Sequence, residues 1–101
     1  MSNLTVANTI LSQIKAIDPR ALFAWGVGMH PTNKIVGGEN FLQFKTSGMV
    51  RWKGFVKVTL NGMDLYDIEF ARVRGSKRIV DKVYSDVFVE DMVSVIDGVV
   101  G

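Results

Sequence analysis

The chain of 101 residues has no cysteine, one histidine and two prolines. Without cysteine it has no disulfide, no thiolate metal ligand and no thiol nucleophile, a composition compatible with a reducing compartment. A lone histidine, His30, lacks the His/Cys clusters that hold zinc, so neither a metal nor a cofactor is expected. No apolar run approaches the ~20 residues of a membrane-spanning helix. Met1-Ser2-Asn3-Leu4-Thr5 lacks the basic-then-apolar layout of a secretory leader. The expectation is a cytoplasmic protein with no membrane partner. Opposite charge is missing locally as well: residues 41–62 carry Lys45, Arg51, Lys53 and Lys57 without an acid, and residues 83–101 carry Asp86, Glu90, Asp91 and Asp97 without a base.

With 48% hydrophobic and 22% charged residues, the chain can bury a core and is not expected to be disordered. Its length suits one domain, residues 1–101. The net charge of +2 hides strong segregation. After the basic stretch at 41–62, Asp64, Asp67 and Glu69 reverse the sign. Arg72, Arg74, Lys77, Arg78 and Lys82 restore it against Asp81 alone. Such asymmetry bears on partners rather than on fold.

Leu4, Ala7, Ile10, Leu11, Ile14 and Ile17 recur every three or four residues and predict a helix from about 4 to 17, capped by Ser2 or Asn3 and ended by Pro19. From Ala21 to Met29 the period changes to two, which predicts a strand with Phe23, Trp25, Val27 and Met29 on one face. Residues 30–40 are turn-rich and read as a loop. Strands are expected at Phe41–Thr46, Trp52–Leu60 and Leu65–Val73, with a short, weaker one around Arg78–Tyr84. Asn61-Gly62 and Gly75-Ser76 supply the hairpin turns. Val89, Met92, Val93, Ile96 and Val99 or Val100 form the stripe of a C-terminal helix, with Ser85 or Asp86 as its cap. Two one-striped helices must bury their stripes. The fold class is therefore α+β: an antiparallel sheet of about five strands with the N- and C-terminal helices packed on one face, in the order α-β-β-β-β-β-α. The other face would show Phe41, Gln43, Lys45, Phe55, Lys57, Thr59, Asp67 and Glu69 to solvent or a partner.

Catalytic signals are poor, and an enzyme is not expected. His30 stands in a turn before proline, and no serine sits in a nucleophile elbow. Asp67 and Glu69 share a strand face, where pairing with Lys57 and Lys45 is a simpler role than acid–base chemistry. Gly26-Val27-Gly28 opens like a phosphate loop but lacks a third glycine and a following helix, and Gly37-Gly38 is a loop pair with the same shortfall. Two binding surfaces remain. One is the uncovered face, where Phe41, Phe55, Trp52 and neighbouring lysines would meet a protein partner or a second copy. The other is the basic and aromatic stretch of Lys45, Arg51, Trp52, Lys53 and Lys57, extended by Arg72 and Arg74, which would bind nucleic acid, a nucleotide or another phosphorylated small molecule.

The runs Leu42–Val56, Asp64–Gly75 and Asp86–Asp97 resemble small proteins encoded by bacteriophages and gut-bacterial mobile elements. The resemblance spans most of the chain. It implies an intracellular phage or prophage accessory role in a bacterial host and carries no site residues with it.

Overall fold

The computed structural model describes residues 4–27, 35–47 and 50–101. The expected caps Ser2 and Asn3, His30, and the end of the expected first strand at Gly28 and Met29 lie outside the described residues. Helix α1 runs Thr5–Ile17 and buries Ala7, Ile10 and Ile14, three positions of the expected stripe. Strands β1 (Val36–Gly37), β2 (Phe41–Lys45), β3 (Phe55–Leu60), β4 (Tyr66–Arg74) and β5 (Lys77–Val87) form one antiparallel sheet in chain order. Helix α3 runs Val89–Val100 and buries Met92, Val93, Ile96, Val99 and Val100. Both helix stripes share one core cluster with Leu42, Phe44, Val56, Val58, Ile68 and Phe70, the alternate residues of the three central strands. The protein is thus an α+β two-layer fold, with α1 and α3 on one face of an open five-stranded sheet.

The expected strand at Ala21–Met29 is overturned. Residues Ala21–Ala24 form a one-turn helix, α2, and the chain then turns. Asp18 starts it: its carboxylate accepts the Arg20 N–H at 3.0 Å and its carbonyl accepts the Ala21 N–H. Gly26 stops it with φ +73°, while the Gly26 N–H bonds the Phe23 carbonyl and the Val27 N–H bonds the Leu22 carbonyl. That is the double hydrogen bond of a glycine-terminated helix end. Phe23 and Trp25 consequently point apart, at 74% and 1% exposure, although alternation had set them on one face. The sheet's first strand is instead β1, inside the stretch expected to be loop. Two residues cannot display an alternating pattern, and β1 is marked only by a close approach, since a Cβ on Gly37 would lie 2.8 Å from that of Ala7.

Three further departures follow from local chemistry. The β3–β4 connection is longer than a two-residue Asn-Gly turn. The Asn61 N–H bonds the Leu65 carbonyl, and the left-handed residue is Asp64, at φ 59°. Asn61 organises the loop through its side chain, accepting the N–H groups of Met63 and Leu65. The last strand is the longest, not the weakest, and contains Ser85 and Asp86, the expected helix cap. Helix α3 starts without a side-chain cap hydrogen bond, although Glu90 and Asp91 do occupy its first turn, where the helix dipole favours acids.

Candidate functional site

The groove is built by three segments that the core brings together. The first is the 50–54 connection between β2 and β3. The Arg51 and Trp52 N–H groups both donate to the Val100 carbonyl, at 2.9 and 3.2 Å, and the Arg51 guanidinium donates to the Gly98 carbonyl. The loop therefore caps carbonyls that α3 cannot satisfy itself, with a cation at the negative end of its dipole. Below it, the fully buried Thr46 hydroxyl accepts the Gly54 N–H at 3.1 Å and lies 3.3 Å from the carbonyls of Trp52 and Gly54. Gly54 is obligatory at this place, because a Cβ would come 2.6 Å from both the Ala71 carbonyl and the Trp52 ring.

The second segment is the β4–β5 hairpin. Phe70 pairs with Lys82 and Ala71 with Val80, leaving Asp81 as the extra residue of a β-bulge. Such a bulge breaks the alternation and re-aims a side chain. Here Asp81 accepts the Trp52 indole N–H at 2.9 Å and a two-pronged bond from Arg72, at 2.6 and 3.0 Å. Bonding to Arg72 first, and then to Trp52, holds the Asp81 carboxyl below its ordinary pKa of 3.8, and the same contact raises Arg72. The third segment is the end of α3, which contributes Gly98 and Val99. Together Arg51, Trp52, Lys53, Arg72, Asp81 and Lys82, with those two, line a cavity of about 610 Å3. Trp52 is its one aromatic lining residue, backed by the buried Phe70, which sits edge-on to Trp52 at 5.6 Å and to Tyr84 at 5.9 Å. Four cations face one acid, and that acid is already paired. Lys53 and Lys82 have no ion pair among the described residues.

No protein-family model, curated protein or solved structure matches the chain.

The nine residues singled out by sequence divide between two faces. Arg51, Trp52, Lys53 and Arg72 meet in the groove, and exposed Arg74 stands at the end of the hairpin beyond it. Phe41, Lys45, Phe55 and Lys57 lie on the opposite sheet face, because alternation sends them away from the core neighbours Leu42, Phe44, Val56 and Val58. There Lys57 covers the Phe41 ring at 4.5 Å and Lys45 covers Phe55 at 5.7 Å, so both aromatics are half-buried under their own chain's cations. Asp67 and Glu69 share that face with different partners from those expected. Glu69 ion-pairs with Arg78, although Lys57 is opposite it in register. Asp67 accepts the Asn61 side chain and the Asp86 N–H, each at 3.1 Å. Asp81 and Lys82 were missed as groove residues, and the bulge that aims Asp81 leaves no mark in the pattern of the strand. Among the described residues no group of three or more His, Cys, Asp or Glu side chains could hold a metal ion, and no helix is long and apolar enough to cross a membrane.

Proposed function

We propose that this protein is a non-enzymatic binding module whose groove takes a phosphate-bearing anionic ligand. One observation carries the reading: Lys53 and Lys82 stand unpaired beside Arg51 and Arg72 around a concave surface with an aromatic wall. Arginine offers a planar fork and lysine a mobile point charge, a combination suited to phosphate oxygens. Trp52 is fixed at its indole N–H by Asp81 and lines the cavity, where its ring offers apolar surface to a base or another planar group. The setting implied by the phage resemblance, an intracellular accessory protein, suits such a module and adds no residue to it. Titration with thymidine monophosphate and with pyrophosphate tests the proposal, followed by the Trp52 indole N–H resonance and the backbone amides of residues 51–53. Saturable shifts that weaken with added salt, and that disappear in the double variant Lys53→Glu/Lys82→Glu, are expected. Unmoved resonances at millimolar ligand overturn it.

A second reading, self-association at the uncovered face, is favoured by Val73, Val80 and Val83, which are 55%, 47% and 55% exposed. They lie beside the free edge of β5. An antiparallel pairing with a second copy that sets Val80 opposite Val83 would join apolar residues of that face across the seam. Light scattering on the wild type and on Val83→Asp should show a dimer and a monomer respectively. A monomeric wild type at high concentration removes this reading.

A further inference from the structure

We propose that the groove is the inner end of a longer track along the β4–β5 hairpin, and that the track takes one unpaired nucleic-acid strand. The inference rests on the reading of the groove as a phosphate site. Its own support comes from what lies outside the groove. On β4, Arg72 and Arg74 follow Phe70 at two-residue steps, so all three point to the helix-bearing side. On β5, Lys82 is opposite Phe70, Ile79 opposite Arg72 and Lys77 opposite Arg74. The hairpin therefore carries two rows on that side, Arg72 and Arg74 beside Lys82, Ile79 and Lys77, closed by the turn at Gly75 with φ +64°. Neither turn residue, Gly75 or Ser76, is charged.

A strand rise of roughly 3.3 Å per residue spreads the Cα atoms from Phe70 to Arg74 over roughly 13 Å. A lone phosphate or a mononucleotide fills the groove and leaves Arg74 and Lys77 unused. A chain of phosphodiesters meets the cations in succession. Apolar surface is interleaved with them: Trp52 at the groove, half-buried Ile79 between Lys82 and Lys77 on β5, and Tyr84, 38% exposed, two residues from Lys82 on the same side. Aromatic faces among cations suit splayed bases, which a duplex does not offer. The track is also only two β-strands wide, about 5 Å between strand axes, which matches one backbone and not two. The acids are arranged consistently with this. Asp81 is consumed by Arg72 and Trp52, while Glu69 and its partner Arg78 occupy the other face.

The test uses the whole chain with a fluorescently labelled oligothymidylate, a labelled duplex and unlabelled thymidine monophosphate, over a salt series. The informative variant is Arg74→Gln/Lys77→Gln, which changes the hairpin end and leaves the groove intact. The wild type is expected to bind oligothymidylate more tightly than duplex. The logarithm of its affinity should fall linearly with the logarithm of salt concentration, by about 0.7 per phosphate contacted. In the variant that slope should shrink by roughly 1.4, and affinity should drop about tenfold, while monophosphate shifts at Trp52 are unchanged. A variant that binds oligothymidylate like the wild type overturns the track and leaves the groove proposal standing. Tighter binding of duplex overturns the single-strand assignment. If neither the monophosphate nor the oligonucleotide binds, the underlying phosphate reading fails with it.

Discussion

Replacing Phe70 by leucine keeps a buried apolar side chain but removes the ring's edge-to-face contacts, on top of a volume loss that any buried Phe→Leu change shares. Phe70 is wholly buried and touches two aromatic partners edge-on, Trp52 at 5.6 Å and Tyr84 at 5.9 Å. Edge-to-face pairs contribute about 0.5–1.5 kcal/mol each beyond area burial, so losing two should cost about 1–3 kcal/mol. Phe44 is the internal control: equally buried, but with one ring partner, Trp25, stacked at 5.9 Å. Phe44→Leu should therefore lose about 0.5–1.5 kcal/mol of ring contact, with the volume loss common to both variants. Both variants remain folded if the domain has the ~5–15 kcal/mol usual for its class. Urea unfolding reads the difference, with the slope of stability against urea checked for constancy so that midpoints can be compared. The two variants should separate again in the groove, because only Phe70 supports Trp52. The Trp52 indole resonance should move in Phe70→Leu and hold in Phe44→Leu. The reasoning is refuted if Phe44→Leu costs as much as Phe70→Leu, or if the Trp52 resonance ignores Phe70.

Thr46→Val should destabilise by about 1–3 kcal/mol in chemical denaturation despite its near-equal shape, because it strips the Gly54 N–H of a buried acceptor. It should also broaden the amides of residues 51–53, whose loop that hydroxyl holds. Tyr66 gives an alkaline signature. Burial raises its phenol above the usual 10.0, against a smaller opposing effect of its bond to Gln13, so the folded state holds the proton more tightly than the unfolded one. Its contribution is complete below pH 10 and is lost as pH rises through the raised value. Tyr66→Phe should accordingly flatten the fall in melting temperature above pH 10, and an equally steep fall in that variant would assign the loss to other groups.

Wherever several turns of periodic pattern agreed, the fold was legible in the sequence. The stripes of α1 and α3, and the alternation of β2, β3 and β4, each rest on repeated positions that bury one side, and burial is the dominant favourable term in folding. The failures were local. Residues 21–27 alternate in hydrophobicity, yet hydrogen bonds from the Asp18 turn and the left-handed conformation at Gly26 enforce a helical turn that puts Trp25 into the core and leaves Phe23 outside it. There it stacks on Phe44 and donates to Asp97 at 3.1 Å, linking α2 to α3 across 72 residues, a contact that no local pattern announces. The candidate site was half legible. Charge segregation pointed to Arg51, Lys53 and Arg72, but strand parity is what divides cations between faces. Lys45 and Lys57 therefore went to the face opposite the groove, while the bulge at Asp81 kept Lys82 on the groove side.

Asp81 is the one acid in the groove, and its position implies two effects of opposite sign. It orders the site by holding Arg72 and Trp52 in place, and it opposes an incoming anion by its charge. Because its folded pKa is lowered, the order it provides is present above pH 3.8 and is lost only as pH falls through the depressed value, so the groove stays assembled across the neutral range. Asp81→Asn keeps an acceptor for the indole and removes the charge. Two measurements then separate the roles. The affinity for thymidine monophosphate at low salt should rise by roughly fivefold, the order of one unit-charge contact in water. The gain should fade as salt screens it. The Trp52 indole resonance should lose its carboxylate-bonded shift, while the Trp25 resonance, bonded to Asp97, stays in place. Unchanged affinity in Asp81→Asn would mean that the anion does not approach Arg72, and the ligand would then have to sit on Lys53 and Arg51 at the α3 end of the groove.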